Sequence, residues 1–340
     1  MALTLTHEIL ALETAHPFGI ARGTQSTYRV VWVRLTDQDG VEGWGEADPS
    51  SYYGETADTV VAALARLAPL LADADPFDLE AVEGKLWNSL KHNAAARVAI
   101  SAALHDLVGK RLGVPLWKLW GLDPAKAPLS SFTIGIDHPD VIASKVREAA
   151  EYPILKIKVG TQDDEAILRA VREATDKPIR VDANGAWTAK RAIAALPMLQ
   201  DYGVELIEQP LPPDDLEGLA LVRSASEMPI IADESCRTAA DIPRLAGAVD
   251  GINIKLAKCG SLREALRMIA VARAHHLMVM VGCMIETSIG ITAAAHLTPL
   301  LDVVDLDGAA LLKRDPFTGA SITGGRVTLP TAPGLGVARR

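Results

Sequence analysis

Three acids end short apolar runs at nearly even spacing. Asp182 follows Ile179-Arg180-Val181, Glu208 follows Val204-Glu205-Leu206-Ile207, and Asp233 follows Ile230-Ile231-Ala232. Any one of them alone reads as a helix N-cap or a loop acid. Three in register on successive strand ends instead converge on one point. With room for water and a substrate oxygen, they form a hard, oxygen-rich site suited to Mg²⁺, one per subunit.

Two lysines precede this set by one unit, in Lys156-Ile157-Lys158. Residues two apart in a strand share a face, so both ammonium groups enter the same site. Their repulsion is expected to depress the pKa of at least one, which could then act as a base. The other would stay charged and stabilise a developing anion. A solvated edge strand is the plain alternative, and the position one unit before Asp182 disfavours it. Lys255 ends a later run, Gly251–Ile254. In a barrel of eight strands the second and sixth lie opposite each other. Lys158 and Lys255 would then flank the metal site and invert a carbon, one removing a proton and the other returning it.

The elements that must hold these residues are legible as eight apolar runs. They are Leu129–Ile136, Ile154–Val159, Ile179–Val181, Val204–Ile207, Ile230–Ala232, Gly251–Ile254, Met278–Val281 and Val303–Leu306. Amphipathic helices separate them. Buried parallel strands read this way, and eight such units make an α/β barrel of the TIM type. Thr133, Lys158, Asp182, Glu208, Asp233, Lys255, Cys283 and Asp305 each stand near the end of one run, where barrel enzymes carry their active sites. Before Pro124 and Pro128 the pattern differs. Strands are expected over 3–14, 27–36 and 41–47, then helices over 56–73, 78–91 and 93–113, an α+β unit.

Composition narrows the function. The chain has 340 residues, 49% hydrophobic and 23% charged, enough for a barrel plus a smaller unit. A net charge of −9 without a basic cluster argues against nucleic acid or an anionic membrane as partner. Cys236, Cys259 and Cys283 form no CxxC and suggest no disulfide framework. No basic n-region with an apolar stretch opens the sequence, and no run of about 18 apolar residues occurs. A cytoplasmic enzyme is therefore expected, and homo-oligomer formation stays open. His275-His276 and Trp117 with Trp120 read as surface or packing residues.

The KxK pair, the Asp/Glu/Asp set and the sixth-strand lysine together resemble the enolase superfamily, in its muconate-lactonizing subgroup. The resemblance covers essentially the whole chain. It implies a modified TIM barrel, (β/α)7β, over 128–309, with an α+β N-terminal capping domain over 1–122 completed by the tail 310–340. The mandelate-racemase type fits less well, because it wants a histidine where this chain has Gly282-Cys283-Met284.

Asp305-Leu306-Asp307 resembles the DxD signature of dipeptide epimerases, and two carboxylates on one face suit a free α-ammonium group. The stretches Ile20-Ala21-Arg22-Gly23, Tyr53-Gly54-Glu55, Asp233-Glu234-Ser235-Cys236 and Gly282-Cys283-Met284 are similar to bacterial L-Ala-D/L-Glu epimerases.

That resemblance implies inversion at the Cα of a dipeptide's C-terminal residue, through a Mg-stabilised enediolate, in murein peptide metabolism. Lys158 would serve the R epimer and Lys255 the S epimer, with Lys156 stabilising charge. Asp182, Glu208 and Asp233 would hold Mg²⁺, with Asn184 as an auxiliary. Asp305 and Asp307 would take the ammonium of a substrate such as L-Ala-L/D-Glu. Thr133 and the Cys283/Met284 backbone would contact the dipeptide, and Arg22, on a loop that closes over the site, would read an acidic side chain. Glu286 departs from the pattern. N-acylamino acid racemase or o-succinylbenzoate synthase activity on the same core is the alternative, and a barrel without catalysis the non-enzyme one.

Overall fold

The computed structural model describes residues 3–340. Strands β1 (Thr4–Ile20), β2 (Gly23–Thr36) and β3 (Glu42–Ala47) form an antiparallel sheet in that order. Helices α1 (Ala57–Leu67), α2 (Leu79–Ser89) and α3 (Ala94–Leu112) cover it. Val31, Val33 and Leu35 from one face of β2 pack with Leu64, Leu67, Ile100 and Leu104 into a core of their own.

The β1–β2 hairpin is longer than the sequence suggests. Residues 15–26, expected as loop, continue both strands to a two-residue turn at Ala21-Arg22. Pro17 reads as a strand breaker. Here a register shift between Glu13 and Phe18 absorbs it, the usual accommodation of proline in a sheet. Arg22 therefore stands at the tip of a β-hairpin rather than on a free loop. The tip is fastened to the barrel: Ile136 N–H donates to Gly19 O at 2.8 Å. A Cβ at Gly19 would lie 2.4 Å from Ile136 O, so only glycine allows this approach.

Eight parallel strands follow: β4 (Phe132–Ile134), β5 (Leu155–Lys158), β6 (Ile179–Asp182), β7 (Val204–Glu208), β8 (Ile230–Ala232), β9 (Gly251–Ile254), β10 (Met278–Gly282) and β11 (Val303–Asp305). Each pairs with its sequence neighbour. A parallel bridge between Ser130 and Val304, with Ser131 N–H donating to Val304 O at 3.0 Å, joins β4 to β11 and closes the barrel. Helices follow the first seven strands, the one after β8 only Ile242–Leu245, and none follows β11 before the tail. This is the (β/α)7β arrangement with an α+β cap.

The period of two decides what faces inward. Leu155, Ile157, Ile179, Val181, Ile252 and Ile254 point outward into the large core shared with the helices. Leu206, Ile231, Met280 and Val303 form a separate cluster inside the barrel. Two residues beyond Leu206, Ile231 and Val303, on the same parity, stand Glu208, Asp233 and Asp305. The apolar plug thus supports a layer of charge above it.

The tail returns to the cap. Lys313 N–H donates to Glu13 O at 2.8 Å, and Phe317 meets Trp32 edge-on at 5.1 Å. Among the described residues, no helix is long and apolar enough to cross a membrane.

Candidate active site

Asp182, Glu208 and Asp233 end β6, end β7 and follow β8, and all three are buried. One carboxylate oxygen from each lies within 4.8 Å of the others. Lys158 Nζ donates to Asp182 Oδ2 at 2.6 Å, and Lys255 Nζ to Asp233 Oδ2 at 2.8 Å. The two lysines therefore sit on the outer members of the triad, with Glu208 between. Gly282 makes room for one of them, since a Cβ there would lie 3.1 Å from Lys255 Cε.

Lys156 occupies the centre. Its Nζ lies 2.8 Å from Asp305 Oδ2, 2.7 Å from Glu208 Oε2 and 3.3 Å from Asp182 Oδ2. This corrects the expected effect of the KxK pair. Burial favours the neutral amine of Lys156, but Asp305, Glu208 and Asp182 outweigh it and raise the pKa well above the usual lysine value. Burial is likewise overcome at Lys255, by Asp233 and Glu208. The attraction of carboxylates exceeds the repulsion between lysines, because each ammonium touches an acid directly.

The acids respond unequally. Burial opposes ionisation of Asp182, yet Lys158 and Lys156 hold its pKa at about 2. At Asp233, Lys255 and Lys258 overcome burial and keep it well below the usual carboxylate range. Glu208 is pushed up to about 7 by burial and by Asp182.

Two triad oxygens, Glu208 Oε2 and Asp233 Oδ1, are buried without a directed hydrogen bond. Lys156 and Lys258 lie close enough to form ion pairs with them, but off the hydrogen-bonding direction. Each oxygen therefore faces a cation while lacking a hydrogen-bond donor of its own. Buried carboxylate oxygens in this state, three acids converging, fit a hard divalent cation such as Mg²⁺.

Asn184 adopts a left-handed backbone (φ 46°), which asparagine tolerates, and donates its N–H to Asp182 Oδ1 at 2.8 Å. Arg22 reaches over from the hairpin tip. Its Nη1 donates to Asn184 O at 2.8 Å and to Glu234 Oε1 at 2.9 Å, and its guanidinium lies 4.2 Å from the Tyr52 ring centroid. The cation expected to be free for substrate is thus engaged along one edge.

Asp305 and Asp307 differ as well. Asp305 Oδ1 accepts from Ser131 Oγ at 2.7 Å while Oδ2 meets Lys156. Asp307 Oδ2 accepts the Thr133 N–H at 2.6 Å, and burial with Asp305 pushes its pKa up to about 7. Thr133 therefore braces the DxD pair.

Cys283 Sγ accepts the Gly308 N–H at 3.3 Å. The Met284 N–H, expected to face a dipeptide, instead donates to Glu286 Oε1 at 2.9 Å. Glu286 folds back on its own turn and, with Glu46 and Asp48, lines a small cavity between cap and barrel.

Sequence reasoning misses Gln209, Asn253 and Lys258. Gln209 Oε1 accepts the N–H groups of Asp233 (2.9 Å) and Ser235 (3.1 Å), and Asn253 Nδ2 donates to Glu208 Oε1 at 2.7 Å. Gln209 offers no spacing signal. Asn253 does, two residues before Lys255 on the same face, as does Lys258, one helical turn after it.

Comparison with known proteins agrees with this geometry. Residues 4–121 match the family described as mandelate racemase / muconate lactonizing enzyme, N-terminal domain, and residues 141–339 match enolase C-terminal domain-like. L-Ala-D/L-Glu epimerase of Bacteroides thetaiotaomicron is 42% identical, over 96% of this chain and 85% of that protein. The dipeptide epimerase of Enterococcus faecalis, solved with Mg and L-Leu-L-Tyr, has TM-score 0.95 and 36% identity over all of both chains. The substrate-liganded L-Ala-D/L-Glu epimerase of Bacillus subtilis has TM-score 0.95 and 33% identity, covering 100% of this chain and 99% of that one.

Proposed function

The chain belongs to the mandelate racemase / muconate lactonizing enzyme family of the enolase superfamily, and from that premise we propose that it is a Mg²⁺-dependent dipeptide epimerase. It inverts the Cα of the C-terminal residue. The observation that carries this reading is the placement of Lys158 and Lys255 on opposite outer members of one carboxylate triad. A racemising site needs a proton acceptor and a proton donor on opposite faces of one carbon, and two amines carried by the second and sixth of the eight barrel strands support that reading.

In the neutral form, one lysine takes the α-proton as the C–H bonding pair moves into the substrate carboxylate. The other, as ammonium, delivers a proton to the opposite face. Lys158 serves the R epimer and Lys255 the S epimer. Asp182, Glu208 and Asp233 would hold Mg²⁺, whose positive charge would stabilise negative charge developing on the substrate carboxylate and offset the acids around the lysines. Lys156, buried and multiply paired, donates to the same developing charge. A lysine base working beside Mg²⁺ is the arrangement general to enolase-type sites.

Asp307, with Asp305 behind it, takes the substrate's free ammonium, which favours dipeptides over N-acyl amino acids. Among the described residues, Arg22 Nη2 has no hydrogen-bond partner. That edge of the guanidinium can fork onto an acidic side chain, which supports L-Ala-L/D-Glu as substrate and a place in murein peptide metabolism.

The test is a library of L-Ala-Xaa dipeptides in D₂O with Mg²⁺, read by mass spectrometry for deuterium at Cα. Mg²⁺-dependent incorporation is expected, with L-Ala-Glu among the best substrates. Incorporation only into N-acyl amino acids would overturn the dipeptide reading, and none into either class would overturn the reaction.

A further inference from the structure

Lys258 is one of the largest fully buried side chains in the protein, and its ammonium has no solvent exposure. It lies on the one-turn helix Leu256–Cys259, directly after the strand that presents Lys255. Its Nζ donates to three backbone carbonyls: Asp233 O, Cys236 O at 2.9 Å and Asn253 O at 3.0 Å. All three protons of the ammonium are used. Its charge also lies against Asp233 Oδ1.

These contacts define a job different from that of its neighbour. Lys258 has no proton left for a substrate and no path to one. It ties the end of β8, the turn through Cys236 and the end of β9 to one point. Asn253, whose carbonyl it holds, donates its side-chain amide to Glu208. Two of the three triad acids are therefore fixed through Lys258, one directly and one through Asn253.

Lys255 and Lys258 bracket the same carboxylate, Lys255 at Oδ2 and Lys258 at Oδ1. A base that was also the sole anchor of Asp233 would release that acid each time it turned to substrate. With Lys258 in place, Lys255 can change partners while Asp233 stays oriented.

We infer that Lys258 is a positioning residue: it holds Asp233, and through Asn253 also Glu208, in the geometry that receives the divalent cation. The inference rests on the metal reading above. Its sign is distinctive. Removing a positive charge beside a cation site tightens binding by electrostatics alone, whereas removing an anchor weakens it. A role confined to stability would shift melting and leave the affinity alone.

The test is Mg²⁺ titration of the folded wild type and Lys258→Met by isothermal calorimetry, with circular dichroism to verify fold. The variant should bind Mg²⁺ about 10-fold or more weakly, the usual cost of losing a residue that orients a metal ligand. Lys258→Gln keeps two donors without the charge and should lose less. If Lys258→Met does not fold, the glutamine variant decides alone. Binding in a folded variant within about twofold of wild type, or tighter, overturns the role of Lys258 while leaving the metal site intact. A wild type that takes up no Mg²⁺ overturns both.

Discussion

Replacing Lys255 by alanine separates the two faces of the reaction. The substitution removes one amine, 2.8 Å from Asp233 Oδ2, and leaves Lys158 on Asp182 at 2.6 Å. Asp233 keeps the Lys258 charge at its other oxygen, so the triad survives. General base catalysis contributes roughly 10²–10⁴-fold, or about 3–5 kcal/mol of barrier. That loss falls on one epimer only. In D₂O, Lys255→Ala should lose exchange of the α-proton from the L (S) C-terminal residue by at least about 100-fold. The D (R) epimer should still exchange through Lys158, without net epimerisation. Lys158→Ala should show the mirror image. Proton NMR follows the Cα signal of each epimer directly. Equal losses for both epimers in both variants would refute the assignment of one base to each face, and undiminished exchange would refute any role for these amines.

The cap supplies a pH test. Burial, with Glu286 nearby, pushes Glu46 up to about 8. The folded state then holds a proton that the unfolded state releases near the usual glutamate value. Stability should fall as pH rises from about 4.5 to 8, by at most ~1.4 kcal/mol per pH unit for this group, and level off above. Glu46→Gln should flatten that slope in urea unfolding across pH 5–9, and an unchanged slope would exclude the group. Asp307→Asn should raise KM for dipeptides about 10-fold or more, the cost of a lost charged hydrogen bond, with kcat less affected; unaltered kinetics would remove it from the ammonium subsite. Arg22→Met should lower kcat/KM for L-Ala-L-Glu by about 10-fold relative to L-Ala-L-Leu, the low end for a charged hydrogen bond because Arg22 is partly exposed. Equal losses for both substrates would make Arg22 a latch and not a reader of charge.

The barrel is legible in the sequence because its strands are short apolar runs and period two leaves no choice about facing. Once Ile179 and Val181 point outward, Arg180 and Asp182 must point inward, and the same parity carries Glu208, Asp233, Lys255 and Asp305. Strand ends are less legible. The run Leu129–Ile136 contracts to Phe132–Ile134, because Ser130 and Ser131 leave the strand to close the barrel against Val304. The hairpin tip is hidden by Pro17, which signals a break locally and is absorbed by a bulge that only the partner strand reveals. The raised pKa of Lys156 escapes the sequence for a related reason. Its neighbour along the strand face is Lys158, but its nearest charges come from β6, β7 and β11. Gln209 is invisible as an anchor because it acts on backbone groups, which leave no mark in residue spacing, and Lys258 shows only its one-turn spacing from Lys255.

The two domains divide the physical problem. A charge fully removed from water is tolerated only when paired, so the barrel's lysines and acids form a closed set whose members constrain one another's identity. Lys156 alone contacts three acids. Changing any member strands another, which ties the proton-transfer chemistry to the strand ends. The hairpin tip and the Ser51–Tyr53 turn answer to weaker constraints. The Arg22 side chain keeps about a third of its exposure (34%), and Tyr52 is 42% exposed. Water can satisfy these side chains when partners change, but replacing Arg22 leaves the buried Glu234 without its cation. Changes of side-chain selectivity on the cap are therefore least costly at positions such as Tyr52. Glu234 joins the two layers, adjoining the triad at Asp233 and pairing with Arg22. On the proposed function, a substrate carboxylate would compete with Glu234 for the same guanidinium, so that the ion pair, and not Arg22 alone, would set a preference for an acidic residue.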